Sequence, residues 1–136
     1  MLVLVKANVL TVGLESRIDA LKGLPIRVFN MPTGFEAGRS LKNENIDSII
    51  SSWNLPDAPN GRFVKTLRSA KPYLPVIVVV RAADPAQEIA ARSIGAAAVL
   101  GSDESDEVFR RTIAQALGID DAVKSEKIYA IANDSK

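Results

Sequence analysis

Val76-Ile77-Val78-Val79-Val80 is a run of five β-branched residues. Branching at Cβ restricts the side-chain rotamer and suits an extended, pleated chain. An unbroken apolar run further suits a strand covered on both faces, as in the middle of a parallel sheet flanked by helices. This segment therefore decides the fold class. Downstream, Asp84-Pro85 couples a capping side chain to a residue preset for the first helical turn. Ile89, Ala90 and Ile94 then predict a helix that stops at Gly95. Ala96–Leu100 reads as the next strand, and Ser105 caps a last helix over Asp106–Leu117 that Gly118 ends.

Upstream, Phe63, Val64 and Leu67 line a helix ending near Pro72. Before it lies the turn-rich Pro56-Asp57-Ala58-Pro59-Asn60-Gly61. Ser48–Ser52 and Ile26–Phe29 read as strands, with a helix from Phe35 to about Asn43 between them. At the start, Leu2–Val5 is a short apolar run. Leu10, Leu14, Ile18 and Leu21 follow at helical spacing, from an Asn8 cap to Gly23 and Pro25. A competing reading takes Asn8–Val12 as the first strand. It leaves only about Ser16–Lys22 for the helix, which at about 1.5 Å per residue barely recrosses a strand, so Leu2–Val5 is preferred.

Five strands then alternate with five helices, which implies parallel strands joined by right-handed crossovers. The expected architecture is a doubly wound α/β domain over residues 1–118: a five-stranded parallel sheet of order 2-1-3-4-5 with helices on both faces. Residues 119–136 form a tail in which Asp120 offers a start for a short extra helix. In such a sheet ligands bind at the carboxyl ends of the strands. That directs attention to Lys6–Asn8, Ser52–Asn60, Val80–Asp84 and Gly101–Ser105.

The chain of 136 residues has no histidine and no cysteine. Ser-His-Asp and Cys-His nucleophile systems, Cys/His zinc sites, disulfides and imidazole switches are thereby excluded. The net charge is +1. Residues 1–68 carry nine basic and six acidic side chains, and residues 69–136 carry eight and ten. This is too even to attract a polyanion, so no nucleic-acid partner is expected. Arg62, Lys65, Arg68 and Lys71 recur every third residue, which spreads them around a helix rather than along a stripe. No apolar stretch is long enough for a signal peptide or membrane span, and a cytoplasmic protein is expected. No glycine-rich phosphate loop is present.

Several segments carry a family resemblance in order and near-gapless spacing. They are Thr33-Gly34-Phe35-Glu36-Ala37, Ile46-Asp47-Ser48-Ile49-Ile50, Leu55-Pro56 followed by Gly61, Pro75-Val76-Ile77, and Ile94-Gly95-Ala96-Ala97. Together they make the chain from about Leu2 to Leu117 resemble the receiver domain of response regulators. That family phosphorylates an aspartate ending its third strand. Two acids after the first strand hold Mg²⁺, a lysine follows the fifth strand, and a hydroxyl and an aromatic act as switches. Phosphoryl transfer of this kind is positioning plus charge neutralisation, so the metal and the lysine are required parts.

Carried onto this sequence, the resemblance puts Lys6 and Ala7 at the acid pair and Ser52 at the phosphoacceptor. Val80, with Arg81 next, falls at the hydroxyl switch, Val99 at the aromatic, and Ser102 at the lysine. The competing register puts Gly13 and Leu14 at the acid pair. Neither supplies two carboxylates. The resemblance therefore implies a pseudo-receiver with no catalytic residue, no metal and no cofactor.

Its expected role is protein interaction in bacterial signalling, with an unidentified partner or a second copy on the surface of the fourth helix, fifth strand and fifth helix. Candidate contacts are Glu88, Arg92, Val99, Arg110 and Gln115. Trp53 is either an interface residue or a cover for the crevice edge. Ser52 is either a modification site or a small polar residue tolerated at a strand end. Lys6 either meets Asp57 or an acidic ligand across the crevice, or points to solvent. Asp103, Glu104, Asp106 and Glu107 complement the dipole of the last helix. The alternative function is a small-ligand or nucleotide sensor, with the amides of Ser102–Ser105 receiving an anion. An enzyme of the same fold ranks last, since no acid, base and nucleophile set is evident.

Overall fold

The computed structural model describes residues 5–119. The strands are β1 (Ala7–Val12), β2 (Ile26–Met31), β3 (Ser48–Ser52), β4 (Val76–Val80) and β5 (Ala98–Gly101). They form one sheet of order β2-β1-β3-β4-β5, parallel throughout. The helices are α1 (Gly34–Asn43), α2 (Arg62–Ala70), α3 (Pro85–Ser93) and α4 (Asp106–Leu117). A 3-10 helix over Glu15–Leu21 occupies the first crossover. No helix among the described residues is long and apolar enough to cross a membrane.

The sheet has a core on each face. Leu10, Val12, Ile49, Val76, Val78 and Val80 pack with Ala37 of α1, Val64 and Leu67 of α2, and Ala91 of α3. Val9, Ile50, Ile77, Val79 and Leu100 pack with Leu21 of the 3-10 helix and Phe109, Ile113 and Ala114 of α4. Successive residues of β4 alternate between the two cores, which is why all five must be apolar.

The expected helix ends are seen. The Asp84 side chain accepts the Gln87 amide at α3, and Ser105 accepts the Val108 amide at α4. Gly118 closes α4 in the left-handed conformation at φ 68°. β5 begins two residues later than expected, at Ala98.

The first unit is corrected. β1 occupies Ala7–Val12, not Leu2–Val5, and Asn8 lies within a strand rather than capping a helix. Residues 2–4 of the expected strand lie outside the described residues, as does the tail from 120. The helical spacing from Leu10 misled because a strand buried on both faces has no period of its own. Leu10 comes from β1, whereas Leu14 and Leu21 flank and end the 3-10 helix. The short crossover is feasible because a 3-10 helix rises about 2.0 Å per residue against about 1.5 Å for an α-helix. Seven residues thus recross about 14 Å rather than about 10 Å.

Candidate functional site

Correcting β1 changes what stands at the carboxyl edge of the sheet. Lys6 and Ala7 lie at the opposite, amino end of β1, where the Lys6 amide bonds to the Pro25 carbonyl at 2.7 Å. Neither faces the crevice, and Lys6 does not meet Asp57 across it. The residues that follow β1 are Gly13 and Leu14.

Gly13 holds φ 70°, and a Cβ there would sit 2.6 Å from Leu55 Cδ2. Leu55, 4% exposed, therefore caps the end of β1. The Ser52 hydroxyl ends β3 and donates to the Gly13 carbonyl at 3.0 Å. The place where a metal-binding acid pair would stand thus holds an apolar lid and a satisfied hydroxyl. Gly13, Leu14 and Ser52 present no carboxylate, so these residues do not fit Mg²⁺. Among the described residues no group of three or more Asp or Glu side chains is arranged to hold a metal ion.

Glu15, directly after Leu14, is exposed at the start of the 3-10 helix, and Asp57, in the loop after β3, is engaged elsewhere. Its two carboxylate oxygens accept the Gly34 and Phe35 amides, each at 2.9 Å. These bonds to the first turn of α1 hold the Asp57 carboxyl below its ordinary value. Thr33 takes the Glu36 amide, so three amides that the start of α1 would otherwise leave open are satisfied.

Trp53 is corrected as an interface candidate. It is 4% exposed and packs within the α2-side core, with Gly61 directly beneath its ring. Its amide donates to the Val79 carbonyl at 2.8 Å and its carbonyl accepts the Gly61 amide at 2.9 Å. Lys65 Nζ lies 5.5 Å from the ring centroid. Of the other basic residues of α2, Arg68 holds the Ile94 and Pro72 carbonyls, so this helix presents no cationic stripe.

At the β4 and β5 ends, buried Val80 precedes exposed Arg81. The Ser102 hydroxyl accepts the Ala82 amide at 3.1 Å, binding the β4–α3 loop to β5. Ser52, Asn54, Val79, Val80, Arg81, Gln87 and Ser102 line an open cleft of about 250 Å³. The amide reading of Ser102–Ser105 narrows here, because the Ser102 amide donates to Val80 and the Glu104 amide to Gly101.

The five candidate contacts of the helix–strand–helix surface separate. Glu88, Arg92 and Val99 line one groove of about 350 Å³ between α3 and β5, with Glu88 and Arg92 paired at 3.0 Å. Gln115 is exposed on α4. Arg110 is corrected: its guanidinium reaches the carbonyls of Ala20 and Lys22 at the end of the 3-10 helix, on the other side of the domain from that groove.

Sequence reading missed Arg17. Its guanidinium lies 4.6 Å from the Phe109 ring centroid and donates to the carbonyls of Ser102 and Glu104 at 3.2 and 2.7 Å. Asp106 lies 3.4 Å away. Arg17 thus ties the first crossover to the loop after β5. The available signal was weak: Arg17 is one of three charged residues, with Glu15 and Asp19, amid the apolar spacing Leu14, Ile18, Leu21.

No protein-family model matches the sequence, and no curated protein matches it. Solved structures do match in fold. The response regulator receiver domain protein of Methanospirillum hungatei superposes with a TM-score of 0.71 at 19% identity, covering 82% of this chain and 94% of that one. The signal receiver domain of an HD domain-containing protein from Pseudomonas fluorescens gives 0.72 at 19% identity, over 82% and 94%. The chemotaxis response regulator CheY4 of Vibrio cholerae gives 0.69 at 24% identity, over 81% and 98%. With the strand order and the two-sided helical cover, these likenesses establish that the chain has the receiver-domain fold.

Proposed function

We propose that this chain is a receiver-fold interaction module of signal transduction that works without phosphoryl transfer. The observation that carries the reading is the Ser52 hydroxyl bonded to the Gly13 carbonyl, where Gly13 and Leu14 stand in place of an acid pair and Leu55 closes over Gly13. The fold neighbours that bear response-regulator and chemotaxis names support a signalling role. The interaction surface is the face of α3, β5 and α4. Glu88, Arg92 and Val99 line its groove, Gln115 lies on α4, and Ile89 is 65% exposed on α3. Ile89 is the exposed large apolar side chain on this face among the described residues, so it is the position at which a partner's contact is tested.

Incubation with Mg²⁺ and acetyl phosphate, followed by intact mass under denaturing conditions, tests the first half. An unmodified mass is expected, and a stable phosphoryl adduct overturns the reading. Affinity capture and light scattering, each repeated with Ile89→Asp, test the second. Association by the wild type that the variant loses is expected. No association, or equal association by both, counts against this surface.

A further inference from the structure

The cleft at the ends of β3, β4 and β5 has an uncommon balance of polar groups. Its lining side chains with hydrogen-bonding capacity are Ser52, Asn54, Arg81, Gln87 and Ser102. Three of them have an acceptor occupied by a backbone amide. Asn54 Oδ1 receives the Asn60 amide at 2.7 Å, Gln87 Oε1 receives the Arg81 amide at 2.9 Å, and Ser102 Oγ receives the Ala82 amide at 3.1 Å. A backbone N–H only donates, so each bond fixes which end of the side chain is used. Among the described residues, what remains free is the donor: the amide N–H₂ of Asn54, that of Gln87, and the hydroxyl hydrogen of Ser102.

Among the described residues, Arg81 is the only charged one lining this cleft. Its side chain is exposed and makes no ion pair among the described residues. Arg81 also borders the α3–β5 groove with Asp84, Glu88, Asp103 and Glu104. Asp84 there accepts the Gln87 amide, and Glu88 is paired with Arg92. A guanidinium with three neutral donors and no lining carboxylate repels cations and complements an oxyanion.

We infer that this cleft is a metal-free receptor for a small oxyanion, a phosphate or a carboxylate, held non-covalently by Arg81 with Asn54, Gln87 and Ser102. The donors come from the β3–α2 loop, the β4–α3 loop, α3 and the end of β5. They therefore approach an anion from several elements, which favours a tetrahedral phosphate over a planar carboxylate. The inference goes beyond the interaction module and does not depend on it: the anion need not react, and although Val80 and Arg81 border both the cleft and the α3–β5 groove, Asn54, Gln87 and Ser102 line only the cleft.

The test is titration of the full chain with inorganic phosphate, and separately with acetate, at fixed pH and ionic strength. Binding is read from Trp53 fluorescence and from the backbone amide resonances of Arg81, Ala82 and Ser102. EDTA is present throughout. Saturable binding is expected, and whichever anion binds more tightly identifies the source. Arg81→Gln should weaken it roughly tenfold or more, as expected for loss of a charge-assisted contact. Gln87→Glu keeps the acceptor for the Arg81 amide and replaces the free donor by a carboxylate oxygen, so it should abolish binding while leaving the loop and the melting temperature in place. Lys42→Gln, exposed on α1 and lining neither the cleft nor the α3–β5 groove, should leave affinity unchanged. Absence of saturable binding by both anions, or affinity indifferent to both Arg81→Gln and Gln87→Glu, overturns the inference.

Discussion

The Ser52 hydroxyl donates to the Gly13 carbonyl at 3.0 Å, joining the carboxyl ends of two adjacent parallel strands. Ser52→Ala leaves that partly buried carbonyl without its partner and should cost about 0.5–1.5 kcal/mol. Ser52→Asp should destabilise further, because a carboxylate cannot donate and meets a carbonyl oxygen instead. It should also fail to form a phosphoryl adduct with acetyl phosphate and Mg²⁺, since Gly13 and Leu14 supply no metal ligand. Urea unfolding and intact mass check both outcomes.

Asp57 gives the domain an acid-sensitive link. Its carboxyl is held below the ordinary 3.8 by the Gly34 and Phe35 amides. A depressed native value contributes stability that is present above 3.8 and lost as the pH falls through the native value. Asp57→Asn should therefore melt at a lower temperature than wild type at neutral pH. The gap should narrow as pH drops below 3.8. Parallel melts across pH are the measurement, and a gap constant with pH would remove the role given to the ionised carboxylate.

Arg17 is a largely buried tether, with its side chain 18% exposed. Arg17→Met keeps most of the packing on Phe109 but removes both carbonyl bonds, and should cost about 2–3 kcal/mol. Asp106→Ala removes only the exposed partner and should cost less than about 1 kcal/mol. Chemical denaturation of the two variants separates hydrogen bonding from ion pairing. Arg17→Lys should recover little, because an ammonium cannot stack and bridge two carbonyls as a planar fork does.

Gly61 combines φ 73° with direct contact to the tryptophan ring, where a Cβ would stand 2.3 Å from Trp53 Cζ2. Gly61→Ala should cost about 2–4 kcal/mol, from left-handed backbone strain and displacement of the indole. Trp53 emission should shift to the red as the ring gains water. An unshifted spectrum with unchanged stability would contradict the packing described.

The amino-acid sequence by itself determined most of the architecture: the central strand Val76–Val80, the strand Ser48–Ser52, the caps Asp84 and Ser105, and the stop at Gly118. These depend on local chemistry: β-branching, short polar side chains that accept nearby amides, and glycine's access to positive φ. The first unit was settled only by tertiary structure. A strand buried on both faces and a 3-10 crossover have no periodicity that separates them from an α-helix, and the pairing of β1 with β2 on one side and β3 on the other decides in favour of Ala7–Val12. The site divides the same way. Ser52, Val80 and Ser102 were placed by their strands. The burial of Trp53, the turn of Arg110 toward Ala20 and Lys22, the tether at Arg17 and the free donors around Arg81 arise from contacts between residues far apart in the chain. Local spacing carries no trace of those contacts, because each depends on which elements the sheet order brings side by side.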